Sequence, residues 1–194
     1  MGNHLPFSFW RTKMWVIETE RLGLRHPTEN DASAIARGAG NFNVSRNLAR
    51  VPHPYSVADA LAFLKHIPTR HPYSLTCAIE LKSQPEELIG MIGYEFHEDR
   101  YQAELGYWLA EPFWGDGIGK EAAQAVVQHA FMVTQLNQLG AAYHNENPAS
   151  ARILMGLGFE TTGHVMQFSK ARGKEIAATT LKLTREHWLT QKKR

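Results

Sequence analysis

The stretch Trp114-Gly115-Asp116-Gly117-Ile118-Gly119-Lys120 alternates three glycines with other residues, and an apolar pattern with helical spacing begins directly after it. Glycine lacks a Cβ atom, so the backbone of such a loop can turn sharply and approach a ligand closely. The first amides of the following helix have no partners within the helix, and the helix dipole places partial positive charge there. The loop and the helix together predict a backbone site for a phosphate or pyrophosphate group.

The spacing of the glycines excludes two common nucleotide-binding motifs. A Walker A loop needs glycine where Trp114 stands, and serine or threonine where Glu121 stands. A Rossmann fingerprint needs two residues between its second and third glycines, whereas a single residue separates Gly117 from Gly119. A plain turn between a strand and a helix is the alternative interpretation of this stretch.

The composition is that of one globular domain. The chain has 194 residues, of which 43% are hydrophobic and 21% charged, enough for a sizeable core. A net charge of +2 gives no argument for nucleic-acid or membrane binding. The single cysteine, Cys77, excludes a disulfide within the chain, so we expect a reduced, cytoplasmic location. No cluster of cysteine, histidine or acidic residues has metal-ligand spacing, so no metal site is predicted.

The periodicity predicts an α+β fold with one mixed, mostly antiparallel sheet of six or seven strands flanked by helices. An aromatic-rich N-terminal extension is expected over residues 1–16 and a single domain over residues 17–194. Helices are predicted to begin at Thr28 and Ser56, each with an aspartate three residues on as capping partner. Residues 41–55 read as irregular. The remaining predictions are strands over 21–25, 73–81, 88–96, 101–110, 139–144, 159–168 and 175–183, and helices over 117–132 and 147–157.

Three segments, taken in order, resemble the GNAT superfamily of acyl-CoA N-acyltransferases, and more closely its RimJ/RimL-like branch. They are Glu104–Leu109 (ELGYWL), Trp114–Ala122 (WGDGIGKEA), and Asn147–Ser150 (NPAS) followed by Gly158-Phe159. The resemblance implies a sheet splayed between its fourth and fifth strands, where acetyl-CoA enters. It also implies that an amine attacks the acetyl group directly, in a monomer or a homodimer. The implied acceptor is a small-molecule amine or a protein N-terminus.

The resemblance also assigns cofactor contacts to positions of this chain. It implies that the pantetheine arm of acetyl-CoA bonds the backbone of the strand over 103–110 near its end, and that the pyrophosphate binds the glycine loop. The implied cofactor-binding residues are Trp108, Leu109, Ala110, Trp114, Gly115, Asp116, Gly117, Ile118, Gly119, Lys120, Asn147, Ser150 and Arg152.

Glu104 is the predicted general base, because a carboxylate partly buried on the cofactor-bearing strand is suited to taking a proton from the amine. A strand carboxylate paired with an arginine is the structural alternative, and Glu95, His97, His144 and His164 are the other candidate bases. Ser150 is the predicted partner of the leaving thiolate, because RimJ/RimL-like enzymes place the serine of this motif near the CoA sulfur. The tyrosine that many GNAT enzymes carry four residues later is Leu154 here.

The acceptor pocket is expected between the two N-terminal helices, the segment 41–56 and the hairpin around 168–175. The expected lining residues are Phe42, Arg46, Arg50, His53 and Tyr55, and the arginines favour an acidic acceptor or a peptide carboxylate. An acyl-CoA-binding sensor module with little or no catalysis is the alternative function.

Overall fold

The computed structural model describes residues 15–67, 71–96 and 101–191. Its strands form one sheet in the spatial order β1-β2-β3-β4-β5-β6-β8-β7. Neighbouring strands are antiparallel except β5 and β6, which are parallel. The strand bounds are β1 Ile17–Glu18, β2 Leu22–Arg25, β3 Leu75–Leu81, β4 Gly90–Phe96, β5 Gln102–Leu109, β6 Gln138–His144, β7 Glu160–Ser169 and β8 Lys174–Thr184.

The α+β class with one mixed, mostly antiparallel sheet is confirmed, but the strand count of six or seven is too low. The eighth strand is β1, which has only two residues. An alternation of two residues is too short to show as a pattern in the sequence.

The helices are α1 Ala32–Gly40, α2 Phe42–Ser45, α3 Val57–His66, α4 Ile118–Val133, α5 Pro148–Gly156 and α6 Arg185–Gln191. Both predicted capping boxes are present, at Thr28 before a short 3₁₀ turn that leads into α1 and at Ser56 before α3. Residues 41–55 are not wholly irregular, because the Asn41 side chain accepts the Asn43 amide and starts α2. No helix within the described ranges combines the length and the apolar composition needed to cross a bilayer.

Helices cover both faces of the sheet. On one face, α4 buries Ala122, Val126 and Phe131 against alternate residues of the central strands, including Leu105. On the other face, α1 and α3 bury a smaller cluster that contains Ile35. The alternation predicted for residues 101–110 therefore sorts the side chains of β5 between two separate packing environments.

β5 and β6 separate almost as soon as they meet. Their parallel pairing joins only Gln102–Glu104 to Gln138–Gly140. The splay therefore lies between the two strands that the sequence identified as fourth and fifth, which become fifth and sixth once β1 is counted.

The N-terminal segment packs on the body of the domain from Trp15 onward. A Cβ atom at Gly23 would lie 2.2 Å from the Trp15 ring, so the indole rests directly on the backbone of β2. The other aromatic residues of the expected extension lie outside the described residues. The boundary between residues 16 and 17 stays a prediction.

A buried ion network joins β2, β3 and the start of α1. The Arg25 guanidinium contacts Asp31 Oδ1 at 2.6 Å and Glu80 Oε1 at 2.5 Å, and Glu80 is fully buried. Burial raises the pKa of Asp31, but hydrogen bonds from Arg25 and Thr28 outweigh burial, and the pKa lies below its usual value. The network satisfies charges that would otherwise be costly in the core.

Replacing Arg25 with methionine tests this network. Arg25→Met leaves Glu80 and Asp31 as uncompensated buried charges, so we expect the free energy of unfolding to fall by about 3–5 kcal/mol. Urea denaturation measures the change. The control is Lys82→Met, which removes a partly exposed ion pair with Glu18 and a hydrogen bond to Thr19 O, and we expect it to cost only about 1–2 kcal/mol. Equal small losses in the two variants contradict the structural role of Arg25.

Candidate active site

A cleft of about 810 Å³ opens where β5 and β6 separate. The three motif segments meet around it, although they are distant in sequence. The predicted catalytic and cofactor-binding residues that line the cleft are Glu104, Trp108, Leu109, Trp114, Gly115, Gly117, Ile118, Gly119, Lys120, Asn147, Ser150 and Arg152. Ala110 and Asp116 lie outside this lining; the Ala110 amide donates to Ile89 O at 2.8 Å, and Asp116 O accepts from Arg21.

The glycine loop has the backbone geometry of an anion cradle. Gly115 and Gly117 have φ values of +92° and +76°, which strain any residue that carries a side chain. Gly117 caps α4, and the first helical bond of α4 is the one from the Glu121 amide to Gly117 O. The amides of Ile118, Gly119 and Lys120 precede that first bond and lie at the positive end of the helix dipole. The loop therefore fits a pyrophosphate, with Lys120 in the first turn as an added positive charge.

Arg21 braces this loop, and the sequence analysis did not identify it. Its Nη1 donates to Asp116 O at 2.9 Å, and its Nε contacts Glu121 Oε2 at 2.6 Å. Burial raises the pKa of Glu121, but hydrogen bonds from Thr19 and Arg21 outweigh burial and lower it overall. Arg21 precedes Asp116 by 95 residues, so no local pattern connects them.

The open edge of β5 is available to a ligand. Tyr101 O accepts the Asn137 amide at the start of β6, whereas the Ala110 amide donates to Ile89 O beside β4. Backbone groups alternate sides along a strand, so odd-numbered residues of β5 face β6 and even-numbered residues face β4. Pairing with β6 ends at Glu104. The Glu104–Gly140 pair uses the Leu105 amide, which donates to Gly140 O. Beyond that bond, Leu105 O, both backbone groups of Tyr107 and the Leu109 amide point into the cleft.

The end of β5 leaves only part of the expected pantetheine-binding backbone open. Trp114 Nε1 donates to Leu109 O at 2.7 Å, and the Ala110 amide is already bonded. Trp108 lies at an even position, where the backbone faces β4. The backbone groups that remain open to hydrogen-bond a ligand are thus Leu105 O, both groups of Tyr107 and the Leu109 amide. Of the three implied positions Trp108, Leu109 and Ala110, only Leu109 keeps an amide that faces the cleft.

Three cross-strand pairs form the floor of the cleft on the side of α1 and α3: Met91–Trp108, Gly93–Gly106 and Glu95–Glu104. The Trp108 ring lies so close to α1 that a Cβ atom at Gly38 would be 2.7 Å from it. A Cβ atom at Gly106 would meet nothing within 4 Å. The middle of the floor therefore carries no side chains, because it is formed by Gly93 and Gly106. The Trp108 indole bounds it at one end and the carboxylates of Glu95 and Glu104 at the other, so a small group fits between them.

Glu104 stands at the fork between the strands. It pairs with Gly140 in the last register position of β5 and β6 and with Glu95 on β4. Both carboxyl side chains are half-buried, and Glu95 Oε2 lies 3.2 Å from Arg50 Nη1. Two carboxylates side by side attract an ammonium group, and either has the chemistry to accept a proton from it.

The histidines proposed as alternative bases are less well placed. His144 lines the cleft, but its Nδ1 lies 3.2 Å from Arg46 O and must donate to that carbonyl. Its Nε2 is buried from solvent. His164 bonds Thr179 Oγ1 at 3.1 Å and does not line the cleft, and His97 lies outside the described residues.

Ser150 faces the cleft from the other side. Its Oγ lies 2.8 Å from the Tyr107 hydroxyl, and its amide donates to Asn147 Oδ1 at 3.2 Å, which caps α5. Burial raises the pKa of Tyr107 to about 12, although the hydrogen bond with Ser150 opposes the shift. Leu154 is buried in the core. Tyr107, which the sequence analysis did not single out, thus supplies a hydroxyl beside Ser150.

Only part of the expected acceptor lining surrounds the cleft. Arg50 and Tyr55 line it, whereas Phe42, Arg46 and His53 do not. The Phe42 and His53 rings pack against each other with centroids 5.2 Å apart, and Arg46 Nη2 lies 3.5 Å from Glu146. Because acidic side chains already accompany Arg46 and Arg50, the structure gives little support to the expectation that they hold an acidic acceptor.

Cys77 is not placed to act as a nucleophile. It is buried on β3, and burial raises the pKa of its thiol to about 12. Across the described part of the chain, no group of three or more histidine, cysteine or acidic side chains is arranged to hold a metal ion. The candidate proton acceptors and donors at the cleft are therefore the carboxylates of Glu95 and Glu104 and the hydroxyls of Ser150 and Tyr107.

Comparison with known proteins agrees with this geometry. The family model described as an acetyltransferase (GNAT) domain matches residues 21–160. The chain is 30% identical over 164 residues to the uncharacterized N-acetyltransferase YoaA of Bacillus subtilis (strain 168), covering 81% of this chain and 90% of YoaA. It is 34% identical over 83 residues to the ribosomal-protein-serine acetyltransferase of Escherichia coli (strain K12), covering 42% of this chain and 46% of that protein.

A solved structure shares the fold at low sequence identity. The spermidine N-acetyltransferase of Vibrio cholerae, in complex with CoA and spermine, superposes with a TM-score of 0.75 at 20% identity. The match covers 88% of this chain and 99% of that one. The similarity to the ribosomal-protein-serine acetyltransferase is consistent with the RimJ/RimL-like branch. The chain belongs to the GNAT acetyltransferase family and is an N-acetyltransferase whose acetyl donor is acetyl-CoA.

Proposed function

We propose that the chain transfers the acetyl group of acetyl-CoA to a primary amine, either a protein N-terminus or a small amine, by direct attack of the amine nitrogen. The observation that carries the proposal is the position of Glu104 and Ser150 on opposite sides of the fork between β5 and β6. Acetyl-CoA supplies an activated thioester carbonyl. Glu104 removes a proton from the amine on one side of that carbonyl, and Ser150 hydrogen-bonds the departing sulfur on the other side.

Glu104 acts as the general base. An amine arrives near neutral pH as an ammonium, and the paired carboxylates of Glu95 and Glu104 attract its charge. Glu104 takes a proton, the nitrogen forms a bond to the acetyl carbon, and the carbon–sulfur bond breaks with its electron pair on sulfur. General-base catalysis of this kind contributes about 10²–10⁴ in rate.

Ser150 acts on the departing sulfur. Its hydroxyl lies at the start of α5, and the Asn147 cap holds its backbone in place. A hydroxyl donor at this point stabilises negative charge as it develops on sulfur, which is the role of an electrostatic partner in acyl transfer. The buried thiol of Cys77 takes no part, in agreement with direct attack.

The choice of acceptor follows from what surrounds the carboxylates. Arg50, which lines the cleft, is paired with Glu95, so the wall that faces the acceptor carries an acidic side chain beside this arginine. Such a wall suits an ammonium better than a carboxylate. The names of similar proteins provide two probes, because one relative acts on a ribosomal protein and one structural neighbour on spermidine.

A thiol-release assay with acetyl-CoA tests the proposal. The acceptor panel contains peptides with free N-termini, the same peptides acetylated in advance, spermidine and single amino acids. We expect CoA release that requires a free primary amine and gives an acetylated product by mass spectrometry. Acetyl-CoA binding without acceptor-dependent release from any member of the panel would instead support the sensor module and overturn the proposal.

Glu104→Gln isolates the base. We expect kcat/KM for the acceptor to fall by about 10²–10⁴ with unchanged CoA affinity, because the amide cannot take a proton. Raising the pH restores part of the lost rate, since the amine then reaches the site already deprotonated. The matched variant Glu95→Gln loses less activity. Wild-type activity in Glu104→Gln, together with a large loss in Glu95→Gln, assigns the base to Glu95 instead.

Gly117→Ala tests the glycine loop. Alanine disfavours the φ of +76° that Gly117 adopts, so the amides at the start of α4 reorient and CoA affinity falls about tenfold by calorimetry. Gly173→Ala is the control, because Gly173 has φ +64° in the turn between β7 and β8, where nothing lies within 4 Å of its Cβ position. Equal affinity losses in both variants indicate general destabilisation rather than a cofactor site.

A further inference from the structure

We infer that Tyr107 is a positioning residue for acetyl transfer: its hydroxyl donates a hydrogen bond to Ser150 Oγ and thereby directs the serine proton at the departing sulfur. The inference rests on the proposed function. It adds Tyr107 to the residues that act on the departing sulfur, although Tyr107 lies on β5 and outside the motif Asn147–Ser150. The observation behind it is the 2.8 Å distance between the two oxygens.

The position of Tyr107 in β5 makes this contact possible. Side chains alternate along the strand, so Tyr107 and Glu104 lie on opposite faces of β5. Tyr107 lines the cleft beside the splay, and Ser150 reaches it from the first turn of α5. The hydroxyl of Tyr107 on the sheet is therefore within hydrogen-bond distance of Ser150. The α5 residue Leu154 is buried and has no hydroxyl to contribute.

A serine hydroxyl has a single proton, and this decides the direction of the bond. If Ser150 donates to Tyr107, it has no proton left for sulfur; if Tyr107 donates, the serine proton is free. Burial raises the pKa of Tyr107 to about 12, so its phenol keeps its proton at neutral pH and remains a donor. Negative charge on sulfur then favours the arrangement in which Tyr107 donates to Ser150 and Ser150 donates to sulfur.

The step requires no net loss of a proton from Tyr107. The carbon–sulfur bond breaks with its electron pair on sulfur, while Ser150 stabilises the charge by a hydrogen bond. Starting as an ammonium, the acceptor nitrogen gives up two protons over the reaction; one ends on the thiol and the other in solvent. Tyr107 keeps its own proton throughout, so it acts through Ser150 rather than on the reacting atoms.

The experiment compares Tyr107→Phe with Tyr94→Phe. Both variants remove one buried phenol hydroxyl and keep the ring; Tyr94 bonds His129 Nδ1 at 3.3 Å and lies outside the cleft. We expect Tyr107→Phe to lower kcat about tenfold without changing the KM for acetyl-CoA or the Kd of CoA, because the lost hydrogen bond acts on developing charge. We expect Tyr94→Phe to retain the wild-type kcat.

A double-mutant cycle separates positioning from general packing. If Tyr107 acts through Ser150, the variant Tyr107→Phe/Ser150→Ala is no slower than Ser150→Ala alone. The inference is overturned if Tyr107→Phe keeps the wild-type kcat, if its loss appears in KM or CoA affinity, or if the two losses multiply. An unimpaired Ser150→Ala also overturns it. Wild-type protein that shows no amine-dependent turnover defeats the proposed function itself, which is a different result from an active enzyme insensitive to Tyr107→Phe.

Discussion

The parallel pairing of β5 with β6 ends after three residues, and the cleft exists because of that limit. β4 pairs with β5 along its length, and β8 does the same for β6. Two well-paired half-sheets therefore meet at one short contact and diverge beyond it. The hydrogen-bonding edge that β6 leaves uncovered on β5 is the natural place for an extended ligand to bind, in the manner of an added strand.

The alternation of side chains on β5 gives this fork its chemistry. Glu104 faces the layer of α1 and α3, and Tyr107 faces α4 and α5, so a proton acceptor and a hydroxyl pair approach the cleft from opposite sides. The turn after β5 then brings the N-terminus of α4 to the same opening. Glu111 in that turn accepts hydrogen bonds from Asn41 at 2.7 Å and Asn43 at 2.9 Å, which ties the cofactor side to the acceptor side.

Features that depend on local pattern were predictable from the sequence. The capping boxes at Thr28 and Ser56, the glycine loop and the two faces of β5 each leave a signal within a few residues. The contact of Tyr107 with Ser150 joins residues 43 positions apart, so no local pattern in the sequence indicates it. For the same reason no local pattern indicated the contact of Arg21 with the glycine loop. It also explains why only Arg50 and Tyr55 of the expected acceptor residues line the cleft, since that lining depends on how α2 and the following loop fold back.

The central claim is that the open edge of β5 binds the cofactor, and NMR-detected amide hydrogen exchange with and without CoA tests it most directly. The account predicts that CoA slows exchange at Tyr107 and Leu109, whose amides face the cleft beyond the last bond to β6. Gly106 and Trp108, whose backbone faces β4, change little. Slower exchange confined to the loop over 115–120, with Tyr107 and Leu109 unaffected, would contradict the claim.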